Sequence, residues 1–259
     1  MNSLLLAIDV GNTTISLGVL KGLRVVDSFS IDTEVSGTQL RTELKKISGQ
    51  IKRKHSNVQN VVICSVVPKA LNIVERTITG HFTFPPVIIG RDIKVPLKNN
   101  YRNPRQVGQD RLVCAYAAKH LYGPPAIIVD FGTAITFDVI SKQGSYEGGI
   151  IVPGIRLSAE SLYKKTALLP KVSSIRGPKT LIGKDTRESI LSGIFFGYGS
   201  MCCGLIDRIA KGIKGKSKVI VTGGHTHLMR KFIVKKITTI DKDLVFKGMV
   251  LLWQRSRKP

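Results

Sequence analysis

Acidic side chains are scarce in this sequence. Seventeen Asp and Glu stand against 40 Lys and Arg in 259 residues, a formal net charge of +23. Such a charge attracts polyanions. Aromatic residues are also few, at 6%, and few of them are interleaved with basic clusters such as "KGIKGKSK" and "RKFIVKK". No nucleic-acid module signature accompanies the charge, so a dedicated nucleic-acid site is disfavoured against a lysine-rich surface. An anionic substrate would still benefit from the field. Cysteine is sparse: Cys64, Cys114, Cys202 and Cys203 show no C-x-x-C spacing. Adjacent Cys202 and Cys203, in an apolar helical context, read as reduced packing residues rather than a disulfide. Long hydrophobic runs are missing, the longest such as "VVICSVV" (61–67) being too short to span a bilayer. The first apolar run has no basic segment before it and meets Asp9 at once. The expectation is therefore no signal peptide, no membrane and a cytoplasmic location.

What is present is globular in kind: 42% hydrophobic and 22% charged residues. Short aliphatic runs bounded by turn residues read as buried strands at 4–8, 15–20, 61–67, 86–90, 126–130, 134–140 and 218–224. Longer amphipathic stretches at 37–54, 110–122 and 186–213 read as helices, which makes an α/β protein. Each half opens with a strand, an Asp-x-Gly turn and a second strand close behind. No low-complexity linker parts them. The chain reads as two duplicated α/β domains, 1–118 and 119–259, with the hinge in the helix around 110–122.

The two hairpins carry the first chemical argument. "DVGNTT" (9–14) and "DFGTAIT" (130–136) each end a fully aliphatic strand with a carboxylate, then place a glycine where backbone must come close or adopt positive φ. Hydroxyls of Thr13, Thr14, Thr133 and Thr136, with nearby backbone N–H groups, can face an anion. The aspartates would repel phosphate, so they make sense beside a cation or a bridging water. Asp-x-Gly is common in ordinary turns. Two copies, each ending an aliphatic strand, favour a polyphosphate grip.

Other segments leave more open. In "YRNPRQVGQDRL" (101–112), Asp110 and Arg111 stand at a helix start. Asp110 there serves equally as a cap or as a base for a hydroxyl. Gly223 and Gly224 follow the aliphatic run "VIVT" and are on their own a weak signal. "EGGIIVPG" (147–154) reads as a turn between strand and helix, with Glu147 structural rather than catalytic. His225 and His227 have H-x-H spacing and read as a loop pair rather than a metal site.

Taken together, the layout resembles the actin and sugar-kinase superfamily of ATP-binding folds, a resemblance that implies a nucleoside contact at Gly223 and Gly224, where the backbone would lie flat against adenine or ribose. More closely, "DVGNTTISLG", "YRNPRQVGQDR", "DFGTAITFDV", "EGGIIVPG", "ALLPKV", "IGKDTRESILSGIFFGY" and "VTGG" are similar, in order, to the motifs of type III pantothenate kinases. The resemblance spans essentially the whole chain. It implies two duplicated actin-like (ribonuclease H-like) domains with mixed central sheets and an ATP cleft between them. It implies ATP-dependent phosphorylation of pantothenate to 4′-phosphopantothenate, the first step of coenzyme A synthesis.

By the same resemblance, Asp9, Val10, Gly11, Asn12, Thr13, Thr14, Ile15 and Ser16 form the first phosphate loop, and Thr133 binds ATP. Gly108, Gln109, Asp110 and Arg111 match the Gly-x-Asp-Arg pantothenate motif, with Asp110 accepting the proton of the substrate hydroxyl. Gln109 is larger than the small residue often found there. Tyr101 and Thr186 match pantothenate contacts, Thr186 across a homodimer interface. Asp130 matches the ligand of a monovalent cation, potassium or ammonium, and a divalent ion, normally magnesium, accompanies ATP. Two rivals stand beside this kinase: an inert or moonlighting homologue acting as a nucleic-acid-associated regulator, and a sugar kinase or polyphosphatase of the same superfamily. The intact Asp9, Asp110, Arg111 and Asp130 set argues against the first, and the Gly-x-Asp-Arg motif against the second.

Overall fold

Strands that read as unbroken aliphatic runs are strands buried on both faces, and the computed structural model, which describes residues 3–213 and 215–257, bears this out. In the first sheet, β1 (Leu4–Val10), β2 (Thr14–Lys21) and β3 (Arg24–Asp32) form an antiparallel meander. β4 (Val58–Ser65) then joins β1 in parallel and β5 (Val87–Ile88) joins β4. The sheet order is β3-β2-β1-β4-β5. Alternate residues serve opposite faces. Leu4, Leu6, Ile8 and Val10 pack with α1 (Gly37–Lys54) and α2 (Pro68–Thr79). Leu5 and Ala7 pack with α3 (Gln109–Tyr122) and with the last helix, α7 (Leu244–Ser256).

The second sheet repeats the first. β6 (Ala126–Phe131), β7 (Ala134–Ile140) and β8 (Tyr146–Pro153) form the meander. β9 (Lys218–Thr222) and β10 (Thr239–Ile240) follow in parallel, giving the order β10-β9-β6-β7-β8. Written from the meander's far edge, both sheets run third, second, first, fourth, fifth. Duplication is thus visible in topology, and not only in the rhyme of two turns. Against one face of this sheet pack α4 (Ile155–Lys165), α5 (Thr186–Gly212) and α6 (Thr226–Ile233).

The described residues form two compact units, one of residues 3–97, 102–117 and 243–257, the other of residues 98–101, 118–213 and 215–242. The boundary at 117/118 falls inside α3. Residues 243–257 group with the first unit, because α7 packs on β1 and β4; sequence order alone assigns them to the second half.

Beside α2, α6, α7 and β10, which the sequence reading does not name, three elements differ from expectation. "RVVDSFSID" is a strand with one face open, so its alternation hides it from a search for aliphatic runs. "EGGIIVPG" is mostly strand β8, with Gly148 at φ +113, rather than a turn. α5 is long and apolar enough to cross a membrane by length and composition, although no single aliphatic run in it is long. Its buried positions Ile190, Leu191, Ile194, Phe195, Cys202 and Ile206 belong to the second unit's apolar cluster, as a core helix requires.

Candidate active site

The parity of the strands explains the awkward aspartates. In the second unit, Ile127, Val129 and Phe131 of β6 face the apolar cluster, together with Ile135 and Phe137 of β7 and Val219 and Val221 of β9. Asp130 therefore lies on the opposite face, where its register partners are Thr136 on β7 and Thr222 on β9. Asp138 follows on that face, 1% exposed, and accepts hydrogen bonds from the Tyr146 hydroxyl (2.7 Å) and the Thr136 hydroxyl (3.3 Å). A buried carboxylate is tolerable only when supplied with such donors.

The first unit builds the same pattern. Asp9 pairs in register with Ser16 on β2 and with Cys64 on β4. Each aspartate thus closes a central strand with a small polar residue on both neighbours. Each hairpin loop is also fastened alike. Gly11 N–H donates to Thr14 O and Gly132 N–H to Ala134 O, both at 3.1 Å. The residue after the third strand then donates to the loop: Thr33 N–H to Thr13 O (2.9 Å), and Gly154 N–H to Thr133 O (3.0 Å). The Thr33 hydroxyl adds a bond to Gly11 O at 2.8 Å. Neither Gly11 nor Gly132 has positive φ, so of the two reasons for glycine given by the sequence, only close approach remains.

Gly108–Arg111 sits at the same end of the first sheet. A Cβ on Gly108 would touch Val66, just beyond β4, and would lie 2.5 Å from Asp110 Oδ1. Gly108 O accepts the first helical bond from Leu112 N–H (3.3 Å), so Gly108 is the cap and Asp110 the second helical residue. Asp110 Oδ1 accepts from the Arg111 N–H at 2.8 Å, which uses one oxygen locally. Burial drives the Cys64 thiol well above its ordinary pKa, and the charges of Asp9 and Asp110 push the same way. Both carboxylates therefore act on one buried sulfur at the carboxyl ends of parallel strands β1 and β4. Ligands bind at such ends in open α/β sheets.

Tyr101 falls in the second unit. Its N–H donates to Asn99 Oδ1 (2.9 Å) and its ring lies against Gly148. Asn100 grips both oxygens of Glu147 at 3.0 Å, so Glu147 orders this segment, in line with a structural role. Thr186 opens α5, exposed, after the cap Asp185, whose carboxylate accepts from Glu188 N–H at 2.7 Å. The structure thus brings Asp9–Ser16 together with Gly108–Arg111, and Asp130 with Thr133. Tyr101 and Thr186 stand on other segments of the second unit.

Sequence reasoning missed Cys64, Thr222, Arg156 and His225. The first two are found only through lateral register. His225 is not a loose loop residue: its N–H donates to Phe131 O (2.9 Å) and its ring reaches Gly132 O. Gly223, at φ +94, is glycine because a side chain there would strike Asp130 and the Phe131 backbone. Gly224, next to it, opens on free space.

A family model described as type III pantothenate kinase matches residues 5–208. The chain belongs to the type III pantothenate kinase family. It is 40% identical over 252 residues to the type III pantothenate kinase of Sulfurihydrogenibium sp., covering 96% of this chain and 99% of that protein. It is 38% identical over 264 residues to that of Geobacter sulfurreducens, covering 98% and 100%. For this family member the fold likeness reaches further. The ethanolamine utilization protein EutJ of Carboxydothermus hydrogenoformans aligns with a TM-score of 0.58 at 15% identity, covering 95% and 89% of the two chains. A ROK family glucokinase from Streptomyces griseus, solved with glucose and AMPPNP, aligns at 0.54 and 13%, covering 97% and 100%. These likenesses bear on fold: two duplicated actin-like domains with mixed sheets.

Proposed function

We propose that this chain phosphorylates pantothenate to 4′-phosphopantothenate with ATP, the entry step of coenzyme A synthesis. One observation carries the reading: the family match spans both duplicated hairpins and the Gly-x-Asp-Arg motif. The joint action of Asp9 and Asp110 on Cys64 supports it. Asp9–Ser16 serves as the first phosphate loop and Thr133 as the contact on the second. Asp110 orients the primary hydroxyl of pantothenate and takes its proton, while the oxygen attacks the γ-phosphorus and ADP leaves. Arg111 pairs with the substrate carboxylate or a phosphate. Tyr101, Gly108, Gln109 and Thr186 contact pantothenate.

The donor set fits the ions the family implies. Asp130 offers a hard oxygen ligand, with the Thr136 and Thr222 hydroxyl residues beside it in register. A Cβ at Gly223 would fill the space its carboxylate takes. That suits a monovalent cation, which when bound offsets negative charge beside the phosphate loop. Among the described residues no group of three or more His, Cys, Asp and Glu stands together, so a magnesium ion would rest largely on ATP phosphates and water.

Purified protein should release ADP only with pantothenate present, and faster with potassium or ammonium. Absence of turnover with every cation would overturn the assignment. Asp130→Asn should lose the cation activation, a drop of about tenfold or more in turnover. Cation activation equal to wild type would remove Asp130 as the ligand. Thr186 is assigned to the pantothenate site of a homodimer. Leu181 (61% exposed) and Ile182 (67%) precede it with apolar surface that a second copy would cover. Light scattering should give a dimer mass, and a monomer at assay concentration would end that part of the proposal.

A further inference from the structure

His225 follows the two glycines after β9 and makes three contacts, two of them to the second hairpin. Its backbone N–H donates to Phe131 O at 2.9 Å. Its ring Nδ1 lies 3.3 Å from Gly132 O. Its ring Nε2 receives the Nε–H of Arg156, on the first turn of α4, at 3.3 Å. A guanidinium can only donate, so Nε2 must be the bare nitrogen and the ring proton must sit on Nδ1. That is the one tautomer that can donate to Gly132 O. The two contacts are therefore mutually dependent.

We propose that His225 is a positioning residue for the second phosphate loop, held as the Nδ1–H tautomer by Arg156 so that it fastens the Gly132 carbonyl. The inference rests on the reading of residues 130–136 as a phosphate loop. Gly132 precedes Thr133, whose carbonyl is already tied to Gly154 N–H. With the Gly132 carbonyl held as well, two successive carbonyls of the loop are fastened to protein. Burial lowers the imidazole's affinity for a second proton, Arg156 and His227 oppose it too, and the Gly132 carbonyl acts the other way. The neutral ring is the form the geometry needs. Both ring contacts are long for hydrogen bonds, so each contributes modestly.

Three substitutions separate the parts. Asn places an amide nitrogen where Nδ1 stands and keeps the bond to Gly132 O. Gln places its terminal oxygen nearer Nε2, keeping Arg156 and losing the loop. Leu loses both. His225→Leu and His225→Gln should raise KM for ATP about fivefold, the equivalent of one modest hydrogen bond, with kcat changed less. His225→Asn should stay within about twofold of wild type. Long-range ¹⁵N–¹H spectra of the ring should show Nδ1 protonated at neutral pH in wild type, and a mixture of tautomers in Arg156→Ala. An Nε2–H ring in the wild type, or Asn and Leu variants that behave alike, would overturn the proposal. Thr133→Ala makes the failures distinguishable. If it leaves KM for ATP unchanged, the phosphate-loop reading falls; if it raises KM while all His225 variants match wild type, only the role of His225 falls.

Discussion

Asp110→Asn should lower kcat by about 10²–10⁴-fold, the usual worth of a general base, while leaving the fold and nucleotide binding intact. The argument turns on what the two oxygens do. Asp110 Oδ1 accepts the N–H of Arg111 at 2.8 Å, a contact near the start of α3. An asparagine carbonyl can accept the same bond, so the helix start should survive and the melting temperature should barely move. What asparagine cannot do is take a proton. Negative charge also leaves the vicinity of Cys64, where Asp9 and Asp110 add together. Burial already holds that thiol in its uncharged form, so the loss of the charge costs the fold nothing there. Steady-state kinetics, a thermal melt and a nucleotide titration on the same preparation separate the outcomes. Near-normal kcat would show Asp110 to be only a helix-terminal ligand. A collapsed melt would show that its charge, rather than its shape, supports the α3 start.

How far the residues alone reveal this molecule depends on the range of the interaction. The central strands were legible because helices cover both faces of the first sheet, as with Leu4, Leu6 and Ile8 on one side and Leu5 and Ala7 on the other. β3 was not, because its exposed positions alternate with partly covered ones. β8 was obscured by Gly148 and Gly149, which suggest a turn yet pair with Val139 and Asp138 of β7. α4 begins after Gly154, a cap residue with no side chain to announce it. The hairpins were legible since each loop is local, a few residues between two strands. Their surroundings were not. Thr222 meets Asp130 only through strand register across about ninety residues, and His225 meets Gly132 only because β9 lies beside β6. Arg156 reaches His225 from α4, whose start is tied to Thr133 by the Gly154 N–H. Ordered motifs identified the family, while local chemistry alone left Asp110 divided between cap and base.

Gly223→Ala should be the most damaging small substitution in the second unit. Its φ of +94 is a backbone state that alanine resists. Its new Cβ would strike Asp130 Oδ1, and would come within 2.6 Å of Phe131 N and 2.7 Å of Phe131 C. The carboxylate could swing away, but the β6 backbone cannot, because Asp130 is held in register by Thr136 and Thr222. Backbone strain and overpacking each cost about 1–3 kcal/mol, so a loss of about 2–6 kcal/mol is expected. Activity should fall with it, since Asp130 is displaced whichever way the clash is relieved. Gly224→Ala is the matched control. A Cβ there meets nothing within 4 Å and φ is not positive, so stability should change by less than about 0.5 kcal/mol. Its kinetics then test the nucleoside platform directly. If Gly224→Ala raises KM for ATP while the protein melts normally, the open space beside Gly224 is where the nucleoside lies. If it is silent, the pair of glycines is explained by Gly223 alone, through the clearance that Asp130 demands.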